Sequence, residues 1–177
     1  MKKSLFICFL LSSILCSASF PVTFSGGNVP YDSSFHLGLV NGPGTGLDLG
    51  GDVFLPVADN FGVGAEIEYL MTNSGLEQNI SMQKYGLVLK YVVNEDLFFT
   101  LHYGGCPFYV SKILDYVDSL SGEEYTIDED THGHASYIAF APNIRLWDYF
   151  FTPKIAINRI EDGGAVLELD LNIGHRF

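Results

Sequence analysis

From residue 34 onward, apolar and polar positions alternate with period two, the pattern of strands with one apolar and one polar face. It predicts eight strands: 34–41, 45–55, 61–70, 82–93, 97–105, 135–146, 150–158 and 165–177. In the third, Phe61, Val63, Ala65, Ile67 and Tyr69 alternate with Gly62, Gly64, Glu66 and Glu68. In the fourth, Tyr85, Leu87, Leu89, Tyr91 and Val93 alternate with Lys84, Gly86, Val88 and Lys90. No segment carries a helical stripe. Tight turns are expected at 56–60, 94–96 and 147–149, and longer polar loops at 71–81, 106–134 and 159–164. The connection at Asn41–Gly44 is short. One end of the structure is therefore trimmed and the other elaborate.

Composition narrows the class. The chain has 177 residues, about one domain. It is 47% hydrophobic and 17% charged, against about 25% charged in average chains, and its 14% aromatic content excludes a disordered polymer. A net charge of -12 excludes the basic footprint that nucleic-acid binding needs. Lys2 and Lys3, the apolar run Leu5–Leu15 and the small residues Cys16–Ser19 have the layout of a secretory signal peptide, with cleavage expected after Ala18. A lipoprotein signal acylated at Cys16 is the rival, but Leu15 stands where a small residue is wanted. Past residue 16 no apolar run approaches the ~20 residues of a spanning helix. The expected organisation is a cleaved signal peptide at 1–18, an N-terminal segment at 19–33 and one β-barrel domain at 34–177. Cleavage removes two of the nine bases and none of the 21 acids, which leaves a net charge of -14. It also removes Cys8 and Cys16, so the remaining Cys106 forms no internal disulfide and is read as a packed thiol.

Eight alternating antiparallel strands fit two architectures. One is a soluble lipocalin-like periplasmic barrel with an apolar ligand inside. The other is an up-and-down transmembrane barrel, apolar outside and polar inside. Three features favour the second. The polar face holds Asp48, Asp52, Glu66, Glu68, Glu168 and Asp170 against Lys84, Lys90, Arg145, Lys154 and Arg176, near balance in a strongly acidic chain, as buried charges require. The same face is rich in glycine (Gly38, Gly50, Gly62, Gly64, Gly86, Gly104, Gly174), which makes room for long side chains in a narrow lumen. Tyr69, Tyr85, Tyr91, Tyr103, Phe61 and Phe151 fall on the apolar face, several near strand ends where interface girdles sit.

The turn and strand Pro56-Val57-Ala58-Asp59-Asn60-Phe61-Gly62-Val63-Gly64, the ending Leu169-Asp170-Leu171-Asn172-Ile173-Gly174-His175-Arg176-Phe177 and the signal peptide together resemble small bacterial outer-membrane barrels of the OmpA/OmpX-like eight-stranded type. The resemblance covers the whole mature chain. It implies an all-β, eight-stranded antiparallel transmembrane barrel in the outer membrane of a Gram-negative-type cell, with tight turns in the periplasm and longer loops outside. It implies Leu169, Leu171, Ile173 and Phe177 as the signal read by the barrel-assembly machinery, and outer-membrane lipids and lipopolysaccharide as surroundings. His175 departs from the pattern, since an apolar or aromatic residue is commoner there. No peptidoglycan-binding domain is expected after the barrel.

The polar-face charges are read as a lumen plug rather than a narrow pore, because eight strands enclose room for little more than side chains. The expected pairs are Glu66 or Glu68 with Lys84 or Lys90, and Arg145 or Arg176 with Glu168 or Asp170. The loop from Ser111 to His134 carries Asp115, Asp118, Glu123, Glu124, Asp128, Glu129 and Asp130, either a solvated acidic loop or a contact surface for cations or a basic partner. Asp128, Asp130 and Gly133 imitate part of a calcium loop, but His132 and Ala139 stand at ligand positions, so it is not an EF-hand. His134 and Ser136 with Asp148 faintly resemble the set of lipid A deacylases. Twelve strand residues separate Asp148 from Ser136, ~40 Å along a strand, so it cannot orient His134. No catalytic residue, metal site, cofactor or named surface partner is assigned; the expected role is structural or surface-interacting.

Overall fold

The computed structural model describes residues 23–24, 27–28, 32–42, 44–73, 78–117, 124–161 and 163–176. Within the first thirty residues Thr23–Phe24 pairs with Gly27–Asn28. Residues 1–18, expected as an export signal, lie outside the described residues. The alternating stretches form eight strands: β1 Asp32–Asn41, β2 Thr45–Ala58, β3 Phe61–Asn73, β4 Gln78–Asn94, β5 Leu97–Val117, β6 Glu124–Leu146, β7 Tyr149–Ile160 and β8 Ala165–Arg176. Each pairs antiparallel with its sequence neighbours, and β8 pairs with β1 to close an up-and-down barrel. Closure leaves no free edge within the eight-stranded ring, which a chain in lipid requires.

The outer face is apolar. Leu37, Leu39, Ile67, Tyr85, Leu87, Tyr103, Ile138, Leu171 and Ile173 all point outward and are exposed. The charged residues of opposite parity are buried, including Asp48, Glu68, Lys84, Lys154, Glu168 and Asp170. This is the inverse of a soluble protein, and it fills the middle of the lumen with charged side chains where the lipocalin-like alternative needs an apolar cavity.

Several expected boundaries are corrected. The strands are longer than the alternation alone shows, because the inward residues Leu70, Ile80 and Met82 are apolar and break the polar parity. The segment 106–134, expected as a loop, is mostly paired strand: the β5–β6 ladder runs eleven pairs past Cys106↔Ala135, from Pro107↔His134 to Val117↔Glu124. Its backbone hydrogen bonds tolerate polar side chains because neither face of the extension has to be uniformly apolar. Segment 71–81 is likewise strand over 71–73 and 78–81. The barrel also begins at Asp32 rather than residue 34.

Candidate functional site

The site is the lumen, and it is layered. At the tight-turn end Asp32 of β1 accepts from Lys90 of β4 and from Arg176 of β8. Phe54 and Phe98 lie against the Lys90 ammonium, with ring centroids 4.7 and 4.5 Å away. Asn143, Thr100 and Thr152 continue this layer, with Thr152 Oγ1 donating to Asn143 Oδ1 at 2.7 Å and Asn143 Nδ2 to Thr100 Oγ1 at 3.2 Å.

The middle layer crosses the barrel. Lys84 of β4 donates to Glu168 of β8, and Lys154 of β7 donates to Glu68 of β3. Each bridge joins strands four apart in an eight-stranded ring, so it ties opposite walls. Lys84 also reaches Glu68 at 3.5 Å, and Lys154 lies 3.3 Å from Asp170 and 4.0 Å from Asp48. Asn158 Nδ2 donates to Glu168 at 3.0 Å. Glu66 accepts from the Tyr137 hydroxyl and from His102 Nδ1, the latter at 2.7 Å. Asp52 accepts from Ser34 at 2.6 Å.

The outer layer is apolar. Val40, Leu70, Met82, Cys106, Ala135 and Ala156 are buried together, with Ile80, Phe108 and Ile160 packed on them. Cys106 belongs to this cap as a free, fully buried thiol. The lumen is thus polar in its middle and greasy at the loop end, a layer hidden from sequence reading by its position beside the expected loops.

Glycines position the bridging side chains. Across β3, β4, β5 and β6 the register aligns Glu66, Gly86, Gly104 and Tyr137. The two bare positions let the phenol of Tyr137 lie flat over the sheet and reach Glu66, the aromatic-over-glycine device that pins register. A Cβ on Gly86 would stand 2.6 Å from the Tyr137 hydroxyl and 2.5 Å from the Tyr103 carbonyl. In the same way His36 lies over Gly50, where a Cβ would meet Nε2 at 2.6 Å, and points toward Glu68. The glycines therefore clear space for ring and imidazole side chains as well as for lysines. Gly86→Leu is expected to prevent the barrel from refolding to its heat-shifted form on gels. Gly164→Leu, where an added Cβ meets nothing within 4 Å, is expected to retain it. Equal refolding of both would sink this account.

Several expected pairings are revised. Glu68 and Lys84 do sit opposite each other in register, as expected of neighbouring strands, but the closer partner of each lies across the lumen. Lys90 pairs with Asp32, a residue expected in the N-terminal segment rather than the barrel. Arg176 also pairs with Asp32, not with Glu168 or Asp170; those lie six to eight residues back along β8, ~20–26 Å at 3.3 Å per residue. Arg145 is not a lumen residue. It is exposed beside the tight turn, where Nε donates to the Trp147 carbonyl at 3.0 Å, and Trp147 holds a left-handed φ of 59°. The near balance of six acids with five bases is therefore not the balance of the middle layer. There six carboxylates (Asp48, Asp52, Glu66, Glu68, Glu168, Asp170) face Lys84 and Lys154, with His36 and His102 as the other basic groups. His36, His102, Tyr137 and Asp32 are the members sequence reasoning missed. Parity puts Tyr137 on the polar face, and the spacing of Gly86 and Gly104 was the signal available for its role.

Of the remaining candidates, Leu169, Leu171 and Ile173 face outward on β8, and Phe177 lies outside the described residues. Asp115, Glu124, Asp128 and Asp130 lie on the extended ladder of β5 and β6, whereas Asp118 and Glu123 lie outside the described residues. His134 and Ser136 lie midway along β6, with Asp148 in the turn that follows its C-terminal end, so the three do not converge.

No family model and no curated protein matches the chain. Solved structures do match in fold. The attachment invasion locus protein Ail of Yersinia pestis, solved in complex with the heparin analogue sucrose octasulfate, aligns at 12% identity and a TM-score of 0.59, over 83% of this chain and 99% of that one. A major outer membrane protein from Thermus thermophilus aligns at 11% identity and a TM-score of 0.59, over 84% and 100%. The N-terminal β-barrel domain of Pseudomonas aeruginosa OprF aligns at 11% identity and a TM-score of 0.55, over 82% and 97%. The fold is that of the small eight-stranded outer-membrane barrels.

Proposed function

We propose that this chain is an outer-membrane barrel whose lumen is a fixed brace and whose β5–β6 hairpin is a contact arm for a cationic surface partner. The observation that carries the reading is the length of that hairpin. A membrane strand needs about 9–11 residues, whereas β5 has 21 and β6 has 23. Beyond Gln78↔Lys112 the ladder continues with β5 and β6 alone among the described strands. A two-stranded arm of this kind, paired beyond the ring, offers contact area without disturbing the barrel.

Charge selects the partner class. Between residues 111 and 134 the chain has seven acids and, among lysines and arginines, Lys112 alone. Ail was solved with a polysulfate; a surface as acidic as this arm repels polyanions and favours basic protein or polyamine surfaces. The lumen supports a plug rather than a pore, because two ion pairs cross its diameter and an apolar layer caps it. Residues 1–18 are read as the export signal that delivers the chain across the inner membrane, and Leu169, Leu171, Ile173 and Phe177 as its assembly signal.

The test displays the full chain, and a form with residues 113–128 replaced by a short turn, on cells. Both are expected to migrate as heat-modifiable barrels. Only the full chain is expected to retain polylysine-coated beads over heparin-coated ones, with the difference shrinking as salt rises. Equal retention by both forms, or preference for heparin, would remove the arm from the function.

A further inference from the structure

We propose that the lumen binds a divalent transition-metal ion at His36, Asp48 and Glu68. The three come from β1, β2 and β3, and their ligand atoms lie within 4.8 Å of one another. His36 Nε2 stands 3.7 Å from Asp48 Oδ2 and 3.9 Å from Glu68 Oε2. Two ligands each ~2.1 Å from a tetrahedral ion are ~3.4 Å apart, so the two histidine separations are a few tenths of an ångström from that spacing, and the two carboxylates, within 4.8 Å of each other, need to draw together at most ~1.4 Å.

The arrangement is more than a group of acids. Asp48 is fully buried, and neither of its carboxylate oxygens has a well-formed hydrogen bond, with the Asn172 side chain beside it as its neutral polar neighbour. His36 Nε2, held over Gly50 and turned toward both carboxylates, has none either. A buried carboxylate left in that state is costly, and an ion between the three would satisfy all of them. The charge balance agrees. Six carboxylates of the middle layer face two lysines, and a divalent cation halves the remaining excess of four when both histidines are neutral.

Lys154 is the competitor for this position, since it already bonds Glu68 and lies 4.0 Å from Asp48. It also has an alternative partner. Asp170 is 3.3 Å from its ammonium, and the Asp170 carboxylate has no hydrogen bond of its own. Metal entry would shift Lys154 onto Asp170 and leave both carboxylates partnered. The second acidic trio, Glu68, Glu168 and Asp170, is less suited. Lys84 already bridges Glu68 and Glu168, and no imidazole completes the trio.

The donor set names the metal class. One imidazole nitrogen with two carboxylates suits zinc and its first-row neighbours, whereas calcium wants six to eight oxygens and magnesium a hydrated octahedron. Three protein ligands leave one position for water. The route is from the tight-turn end, where His36 lines an open cavity with Ser34, Asp52, His102 and Thr152. The apolar cap obstructs the other end. The proposal needs only the barrel and is independent of the contact arm.

The test uses the full chain, refolded in detergent, stripped with chelator and checked by its heat shift. Cobalt(II) is titrated as a visible-absorption probe, and zinc is used to displace it. The expected result is one ion per chain, bound about tenfold or more weakly in Asp48→Asn and His36→Gln and unchanged in the exposed control His132→Ala. Zinc should also raise the urea midpoint of the natural chain. No saturable binding by the folded natural chain overturns the proposal, and that arm needs no variant. So does binding that survives both lumen substitutions, or that disappears with His132→Ala. If His36→Gln fails to refold, the near-isosteric Asp48→Asn decides.

Discussion

Lys154→Met is expected to lower the unfolding free energy of the refolded barrel by about 3–5 kcal/mol, the loss typical of breaking a buried ion pair from one side. Lys154 is buried, bonds Glu68 across the lumen and lies within 4.0 Å of Asp48 and 3.3 Å of Asp170. Its removal leaves three buried carboxylates with Lys84 as the remaining ammonium of that layer. Those carboxylates have to be protonated or hydrated in a space filled by side chains. The bridge also joins β7 to β3, so its loss releases opposite walls together. Urea titration in detergent, followed by the heat-shift gel, measures the effect. Arg145→Met is the comparison. Its guanidinium caps an exposed turn carbonyl, and the expected change is below ~1 kcal/mol. Similar losses from both substitutions would show that the cross-lumen bridges do not brace the barrel.

Ile67→Arg is expected to destabilise the barrel in a bilayer by about 2–4 kcal/mol, the cost of an arginine at the midplane on a lipid-facing strand. Ile67 sits in the middle of β3, points outward with 70% of its surface exposed, and is aligned with Gly51 and Tyr85 on the flanking strands. If that face met water, the same change would fall within about 0.5 kcal/mol. The comparison is Trp147→Arg in the tight turn, where the interface reduces the cost to ~0–1 kcal/mol. The experiment is a denaturant titration in phospholipid vesicles, and equal small effects at 67 and 147 would remove the lipid belt from this face.

The alternation of Phe61 to Tyr69 and of Lys84 to Val93 was enough to sort the side chains onto two opposite faces, since in an extended chain successive side chains point to opposite sides, and the charge balance and glycines of the polar face chose which face is inside. The tight turns at Asp59-Asn60, Glu95-Asp96 and Trp147-Asp148 were legible for the same local reason. The strand ends were not. Leu70, Met82 and Phe108 keep the inward parity but are apolar, so the alternation fades where the lumen becomes greasy. Asp115, Glu124, Asp128, Glu129 and Asp130 imitate a loop in the sequence, yet their backbone is paired as strand, since charge does not by itself oppose strand pairing.

Within the lumen, membership was easier to read than partnership. Parity assigns eleven charged residues to the polar face, and ten of them fall there; Arg145 escapes because it adjoins a turn where parity ends. Which of them meet is another matter. Glu68 and Lys154 are 86 residues apart, and Lys84 and Glu168 are 84 apart. No local rule relates them. Their contact follows from the number of strands and from the stagger with which β8 closes on β1, which set the heights of opposite walls. Neighbouring residues alone specify the strands of the ring, their two faces and the acidity between 111 and 134, because each is a local property of the chain. Tertiary closure decided that Asp32 gathers Lys90 and Arg176, that Tyr137 crosses two glycines to Glu66, and that His36, Asp48 and Glu68 converge. Those contacts form only when the ring is complete, since they cross its diameter or depend on the register in which neighbouring strands align.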